Sequence, residues 1–171
     1  VLRRMKKENY FKARERLDAL LDRPHDAVYS PLARLRYADA YFLQEDEDSY
    51  IDAGQHYNKF LRHFPRHPQG AYAQYQIGMC YYERLLSPER DPRSTHLAIE
   101  SFEKVEKLYP DSAHAGPSME RIAACRRNLA EREFIIGKFY YHQLKYEAAL
   151  DRFTRQQEKY RAGDQNQPGA K

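Results

Sequence analysis

A solenoid of repeated helix pairs, all-α throughout, is the fold predicted for this 171-residue chain, and two patterns predict it. The first is an interval. Ala53, Tyr57, Phe60 and Pro65 are spaced by four, three and five residues, and Ala98, Phe102, Val105 and Pro110 repeat the same spacing. The second is a small residue followed three positions later by an aromatic: Ala38 with Tyr41, Gly78 with Tyr81, and Gly137 with Tyr140. A small residue lets two helices approach closely, and the aromatic covers the same face one turn further on. Residues three and four apart share one face of a helix, so both patterns read as paired amphipathic helices.

Seven helices follow, at about 4–21, 31–44, 48–63, 68–85, 93–108, 113–142 and 144–160. The first, in "VLRRMKKENYFKARERL", is amphipathic from its start, and its Ala13, Leu17 and Leu20 copy the second-helix pattern, with Pro24 one residue early. "RYADAYF" and "YQIGMCYY" mark the helices at 31–44 and 68–85. Those at 48–63 and 93–108 carry the two full copies of the interval, each ended by its proline. Asp91 to Ser94 reads as a helix start, with Pro92 early in the helix and Ser94 or Thr95 as cap. Gly137 comes 27 positions after Pro110, against 13 from Pro65 to Gly78, and no Pro or Gly lies between Pro117 and Gly137. The segment 113–142 is therefore expected as one long helix or two nearly collinear ones, roughly 45 Å long if continuous. Ala149, Phe153 and Gln156 repeat the interval a last time, with Arg161 in place of the proline. Residues 1–160 are expected to form a single superhelical domain of about four repeats, and the polar tail 161–171 to be disordered.

The whole pattern resembles the tetratricopeptide (TPR) repeat. Extra residues enter between the helices of some pairs, as in "QEDEDS" and "LLSPERDPRST".

Composition narrows the function. With 29 Lys and Arg against 25 Asp and Glu, the net charge of +4 is too diffuse to imply nucleic-acid binding. No apolar run approaches the roughly 20 residues needed to span a bilayer. Cys80 and Cys125 fall in helical apolar patterns without ligand spacing and are expected in the core. Tyrosine occurs 15 times, and Tyr57, Tyr81, Tyr109 and Tyr140 fall at packing positions of the repeat. His63 and His67 flank a turn and find no third ligand, so neither a metal nor another cofactor is expected. No nucleophile with its base, no phosphate loop and no carboxylate pair is present, which argues against an enzyme.

In a helix-pair solenoid the first helices of successive repeats line a concave groove that serves for binding. The inward positions are six and three before the small packing residue and one and four after it. They are Leu32, Leu35, Asp39 and Phe42; Tyr72, Tyr75, Met79 and Tyr82; and Glu131, Phe134, Lys138 and Tyr141. The expected groove is thus apolar and aromatic, formed by Leu35, Phe42, Tyr72, Tyr75, Met79, Tyr82, Phe134 and Tyr141, and suited to an aromatic peptide. In the competing reading these side chains are simply core. TPR modules that clamp a carboxylate terminus place Lys and Asn at these positions, and only Lys138 fits.

The run "RDPRSTHLAIESFEKVEKLYPDSAHA…NLAEREFIIGKFYYHQLKYEAALDRF" is more specific than a generic TPR and resembles the BamD family, also called YfiO or ComL. The resemblance rests on Arg90 and Asp91 in a long loop, then Thr95, Ala98, Phe102, Tyr109, Pro110 and Ser112. It continues through Leu129, Ala130, Glu133, Gly137, Phe139 and Tyr140 to Tyr146, Ala148, Ala149 and Arg152, and covers roughly residues 8–160. It implies a non-catalytic scaffold and substrate-recognition subunit for outer-membrane β-barrel assembly. The implied partners are the POTRA domain of a BamA-type barrel subunit, other assembly-machine lipoproteins and unfolded outer-membrane proteins, with no nucleic acid. The implied location is the periplasmic face of the outer membrane, reached through an N-terminal lipid anchor whose signal and lipidated cysteine are not in this sequence. Members usually carry a fifth repeat as well. Arg152 is the expected docking residue, or else a solvated helix charge. Arg90 and Asp91 are expected either to dock or to hold their loop by pairing with each other, Glu131 or Glu133. The alternative function is a periplasmic TPR coordinator of cell-wall or Tol-Pal processes.

Overall fold

The computed structural model describes residues 2–21, 30–84 and 92–164. Seven helices follow one another: α1 (Leu2–Leu21), α2 (Ser30–Phe42), α3 (Glu47–His63), α4 (Gly70–Glu83), α5 (Arg93–Leu108), α6 (Ala115–His142) and α7 (Tyr146–Asp164). No strand occurs among the described residues. The chain divides into two compact units, residues 1–84 and 85–171.

In the first unit α1 packs on α2, α2 on α3, and α3 on α4. Its core is Leu35, Ala38, Tyr50, Ala53, Tyr57, Phe60, Ala73, Ile77 and Cys80, with Tyr41, Phe42, Tyr72 and Tyr81 packed at the margin. Small alanines alternate with large rings in this core, which lets the helices pack closely. Helix α3 is anchored at its start by Asp46, whose side chain accepts from the Ser49 amide at 3.0 Å. Glu47 and Asp48 in its first turn, with Arg62 and His63 in its last, complement the helix dipole.

In the second unit α5 packs on α6 and α6 on α7. Ala98, Phe102, Val105, Ile122, Cys125, Leu129, Ala130 and Ala149 are buried. Within 113–142 the expected long helix is one continuous helix of 28 residues, α6 (Ala115–His142), about 42 Å long. At Gly137 the two helices approach closely: a Cβ built there would lie 2.5 and 2.7 Å from two ring carbons of Phe153 on α7. The small packing residue inferred from sequence is thus a steric requirement of the α6–α7 pair.

Two expectations are corrected. Helix α5 begins at Arg93 with Pro92 as its N-cap and no side-chain cap, and Thr95 is buried within the first turn. The packing of Thr95 against the unit's interior removes it from the capping role. Helix α7 runs to Asp164, four residues into the stretch expected as tail. The turn joining α2 to α3 and the one joining α6 to α7 each contain a non-glycine residue with positive φ, Glu45 at 57° and Leu144 at 59°.

Candidate binding site

Helix α4 places Tyr72, Tyr75, Met79 and Tyr82 at intervals of three, four and three, hence along one stripe. All four are half-buried, as is Phe42 on α2, whose ring tilts against Tyr50 at 5.3 Å between centroids. Burial beneath the stripe is secured by a polar hub. Asp39 accepts hydrogen bonds from the Tyr57 hydroxyl at 2.6 Å and the Tyr72 hydroxyl at 2.9 Å, and pairs with Arg36 at 2.8 Å. Gln76 donates to the same Tyr72 oxygen at 2.9 Å. Three helices are thereby tied through one carboxylate. Burial first, then the Asp39 charge, pushes the Tyr57 hydroxyl far above the ordinary phenol range, so it stays a donor. Tyr72 is raised as well, again chiefly by burial.

Leu35, expected in the groove, is corrected: it is 1 % exposed and belongs to the core. Its side of α2 meets α3, where it packs one turn from Ala38, so no ligand reaches it. Leu32, at the outer end of the same stripe, is exposed.

In the second unit Phe134 is exposed, tilted on Phe153 at 5.8 Å, with the Lys138 ammonium 5.8 Å from its ring centroid. Tyr141 is exposed too and meets Tyr146 edge-on at 5.7 Å. Around the α6–α7 turn Phe139, Leu144, Tyr146 and Leu150 add to this apolar surface, each more than half exposed. The sequence reasoning placed Phe134 and Tyr141 in a groove but missed the rest of this patch. Its signal was "FYYHQLKY", in which three successive aromatics span about 200° of helix and cannot share one buried face.

Arg152 finds its carboxylate within the chain. Its guanidinium lies 3.0 Å from one oxygen of Glu133, and the Lys159 ammonium lies 2.7 Å from the other. Burial of Glu133 would raise its pKa, but the Lys159 and Arg152 hydrogen bonds outweigh it and hold the carboxyl below its ordinary range. Arg90 and Asp91 lie outside the described residues.

Nothing in these sites points to covalent chemistry. Burial pushes both thiols, Cys80 and Cys125, up to about 12, so neither is a nucleophile at neutral pH. His63 bonds the Lys59 carbonyl oxygen and the His67 ring accepts from the Gln69 amide. Among the described residues no three His, Cys, Asp or Glu side chains gather as a metal site, and no helix is long and apolar enough to cross a membrane.

Residues 1–169 match the family described as "YfiO: Outer membrane lipoprotein". The chain is similar to the outer membrane protein assembly factor BamD of Rickettsia prowazekii (strain Madrid E), 29 % identical over 147 residues, or 86 % of this chain and 57 % of the relative. The BamD of Caulobacter vibrioides is 28 % identical over 106 residues, 62 % of this chain and 35 % of its own. That of Vibrio cholerae is 25 % identical over 156 residues, 85 % and 64 % respectively. The chain thus spans less than two thirds of the length of each of these relatives. With nearly every residue matched, it belongs to the YfiO family of outer membrane lipoproteins.

Proposed function

We propose that this chain is a non-catalytic scaffold in the assembly of β-barrel proteins into the outer membrane, working at its periplasmic face. The observation that carries the reading is the family match over residues 1–169, together with relatives named outer membrane protein assembly factors that align along most of the chain. Two surfaces give the proposal physical content. The half-buried stripe Tyr72, Tyr75, Met79 and Tyr82, with Phe42 beside it, suits the aromatic end of an unfolded outer-membrane strand. The exposed patch of Phe139, Tyr141, Leu144, Tyr146 and Leu150 suits docking to a POTRA domain of the BamA-type barrel subunit or to another lipoprotein of the machine. Glu133 already pairs with Arg152, so in this proposal Arg152 serves docking by holding α7 against α6 rather than as a free cation.

The test is a titration with two peptides from the last strand of an outer-membrane β-barrel, one ending in phenylalanine and one in alanine. Saturable binding that the alanine peptide lacks, and that Tyr75→Ala or Tyr82→Ala weakens with little change in melting temperature, is the expected result. No binding to either peptide would refute substrate reception by this stripe and favour coordination of cell-wall or Tol-Pal processes.

A further inference from the structure

A cavity of about 290 Å³ opens in the first unit where α1, α2 and α3 meet. Asp18 and Leu21 line it from α1, Arg34 and Tyr37 from α2, and His56, Lys59 and Phe60 from α3. It is separate from the aromatic stripe. At 100° per residue, Arg34 and Tyr37 lie about 150° around α2 from the mean direction of Leu32, Leu35, Asp39 and Phe42. Its size is near the lower end for small-ligand sites, roughly 300 Å³.

Three features give the cavity a chemical preference. Arg34 and Lys59 bring two positive charges from different helices, and no described carboxylate forms an ion pair with either. Arg34 is oriented by Ser30, whose hydroxyl accepts from its Nε at 3.3 Å, and among the described residues its terminal guanidinium nitrogens have no hydrogen-bond partner. The second feature is a rigid aromatic wall. His56 stacks on Tyr41 at 5.1 Å and meets Tyr37 edge-on at 4.8 Å, while Phe60 closes the floor, fully buried. Arg14 caps the layer from α1, its guanidinium 4.2 Å from the Tyr41 centroid, with one terminal nitrogen buried and without a hydrogen-bond partner among the described residues. The third feature is Asp18, the one acid among the described lining residues. Beside two cations it disfavours a compact dianion, and it favours a ligand that presents an N–H next to its carboxylate.

We propose that this cavity is a second binding site, which takes a peptide carboxylate between Arg34 and Lys59 with a neighbouring backbone N–H turned to Asp18. The carboxylate comes from an acidic side chain or from a chain terminus of a partner. Arg34 supplies a planar fork and Lys59 a point charge, and the ring of Tyr37 covers the ligand's apolar stem. This inference stands independently of the function proposed above, because it uses none of the residues of that site.

The test is an NMR titration of the chain with three capped probes: N-acetyl-glutamate amide, N-acetyl-glutamine amide and N-acetyl-dialanine with a free terminus. Inorganic phosphate serves as a further comparison. Shifts confined to the amides around Tyr37, His56 and Lys59, seen with one or both carboxylates and absent with the glutamine probe, are expected, and the tighter carboxylate names the source. Lys59→Glu and Arg34→Gln should each weaken that binding at least tenfold while leaving the Tyr75 and Tyr82 amides unshifted. Equal binding of the glutamine probe, preference for phosphate, absence of shifts with either carboxylate, or undiminished affinity in Lys59→Glu would each overturn the proposal. If Lys59→Glu perturbs the fold, Lys59→Gln supplies the same comparison.

Discussion

Replacing Gly137 by alanine sets two effects of opposite sign against each other, and the structure says which wins. In the middle of a helix, alanine is favoured over glycine by about 1 kcal/mol. Here the added Cβ would meet the Phe153 ring at 2.5 and 2.7 Å, with a third contact at 3.1 Å. Carbon atoms rest at about 3.5 Å or more, so the ring or helix α7 must retreat by about 1 Å. Overpacking of that kind costs about 1–3 kcal/mol. The net effect of Gly137→Ala is a destabilisation of about 1 kcal/mol. In a Phe153→Ala background the obstacle is gone and only the helix preference remains, so the same substitution should stabilise by about 1 kcal/mol. Urea titrations of the four proteins, read from the NMR amide signals of α6, give the coupling directly as a double-mutant cycle. A reversal of sign, with a coupling of about 2 kcal/mol, is expected. An identical effect of Gly137→Ala in both backgrounds would refute the claim that this glycine is kept small by Phe153.

Glu133→Gln should destabilise the second unit by about 1–2 kcal/mol at pH 7, because Arg152 and Lys159 lose a charged acceptor yet are exposed enough to regain water. The native carboxyl titrates below its ordinary 4.5, so its contribution is present above that value and lost as pH falls through the lower folded one. The stability gap between the two proteins should therefore close as the pH falls below 4.5, and a gap independent of pH would contradict the assignment. Leu144→Asn should stabilise the second unit by about 0.5 kcal/mol and so raise its urea midpoint, since asparagine tolerates the positive φ of 59° better and the leucine, 71 % exposed, packs on little. A lower midpoint would show that Leu144 is held by packing. If the α6–α7 patch docks a partner, the same variant becomes more stable and binds less well.

The helices were legible because their stripes recur. Ala53, Tyr57 and Phe60, and likewise Ala98, Phe102 and Val105, sit at intervals that only one helix face satisfies, and all six are buried. Gly137 announced a close approach before its partner Phe153 was known to fill the space. What stayed hidden depends on rotation and on distant pairs. Leu35 and Leu32 share a predicted stripe, yet one is core and the other exposed, because the width of the buried arc is set by how α2 leans on α3. The partner of Arg152 lies 19 residues upstream on another helix, a pairing that no local spacing encodes. The cavity of Arg34, Lys59 and Asp18 draws on three helices and has no contiguous motif at all. The aromatic patch at the α6–α7 turn was written in plain view, but exposure of an aromatic cannot be told from burial until its neighbours are placed.

Each compact unit carries one cysteine, Cys80 in the first and Cys125 in the second, and both are shut away from solvent. The chain thus contains two native reporters of opening. A thiol-reactive dye added in excess will modify each cysteine only as fast as its surroundings part, so two labelling rates, resolved by peptide mass, measure the breathing of the two halves separately. Repeating that measurement with a bound peptide or docked partner would reveal which half the ligand tightens, with no mutation made and no label attached beforehand.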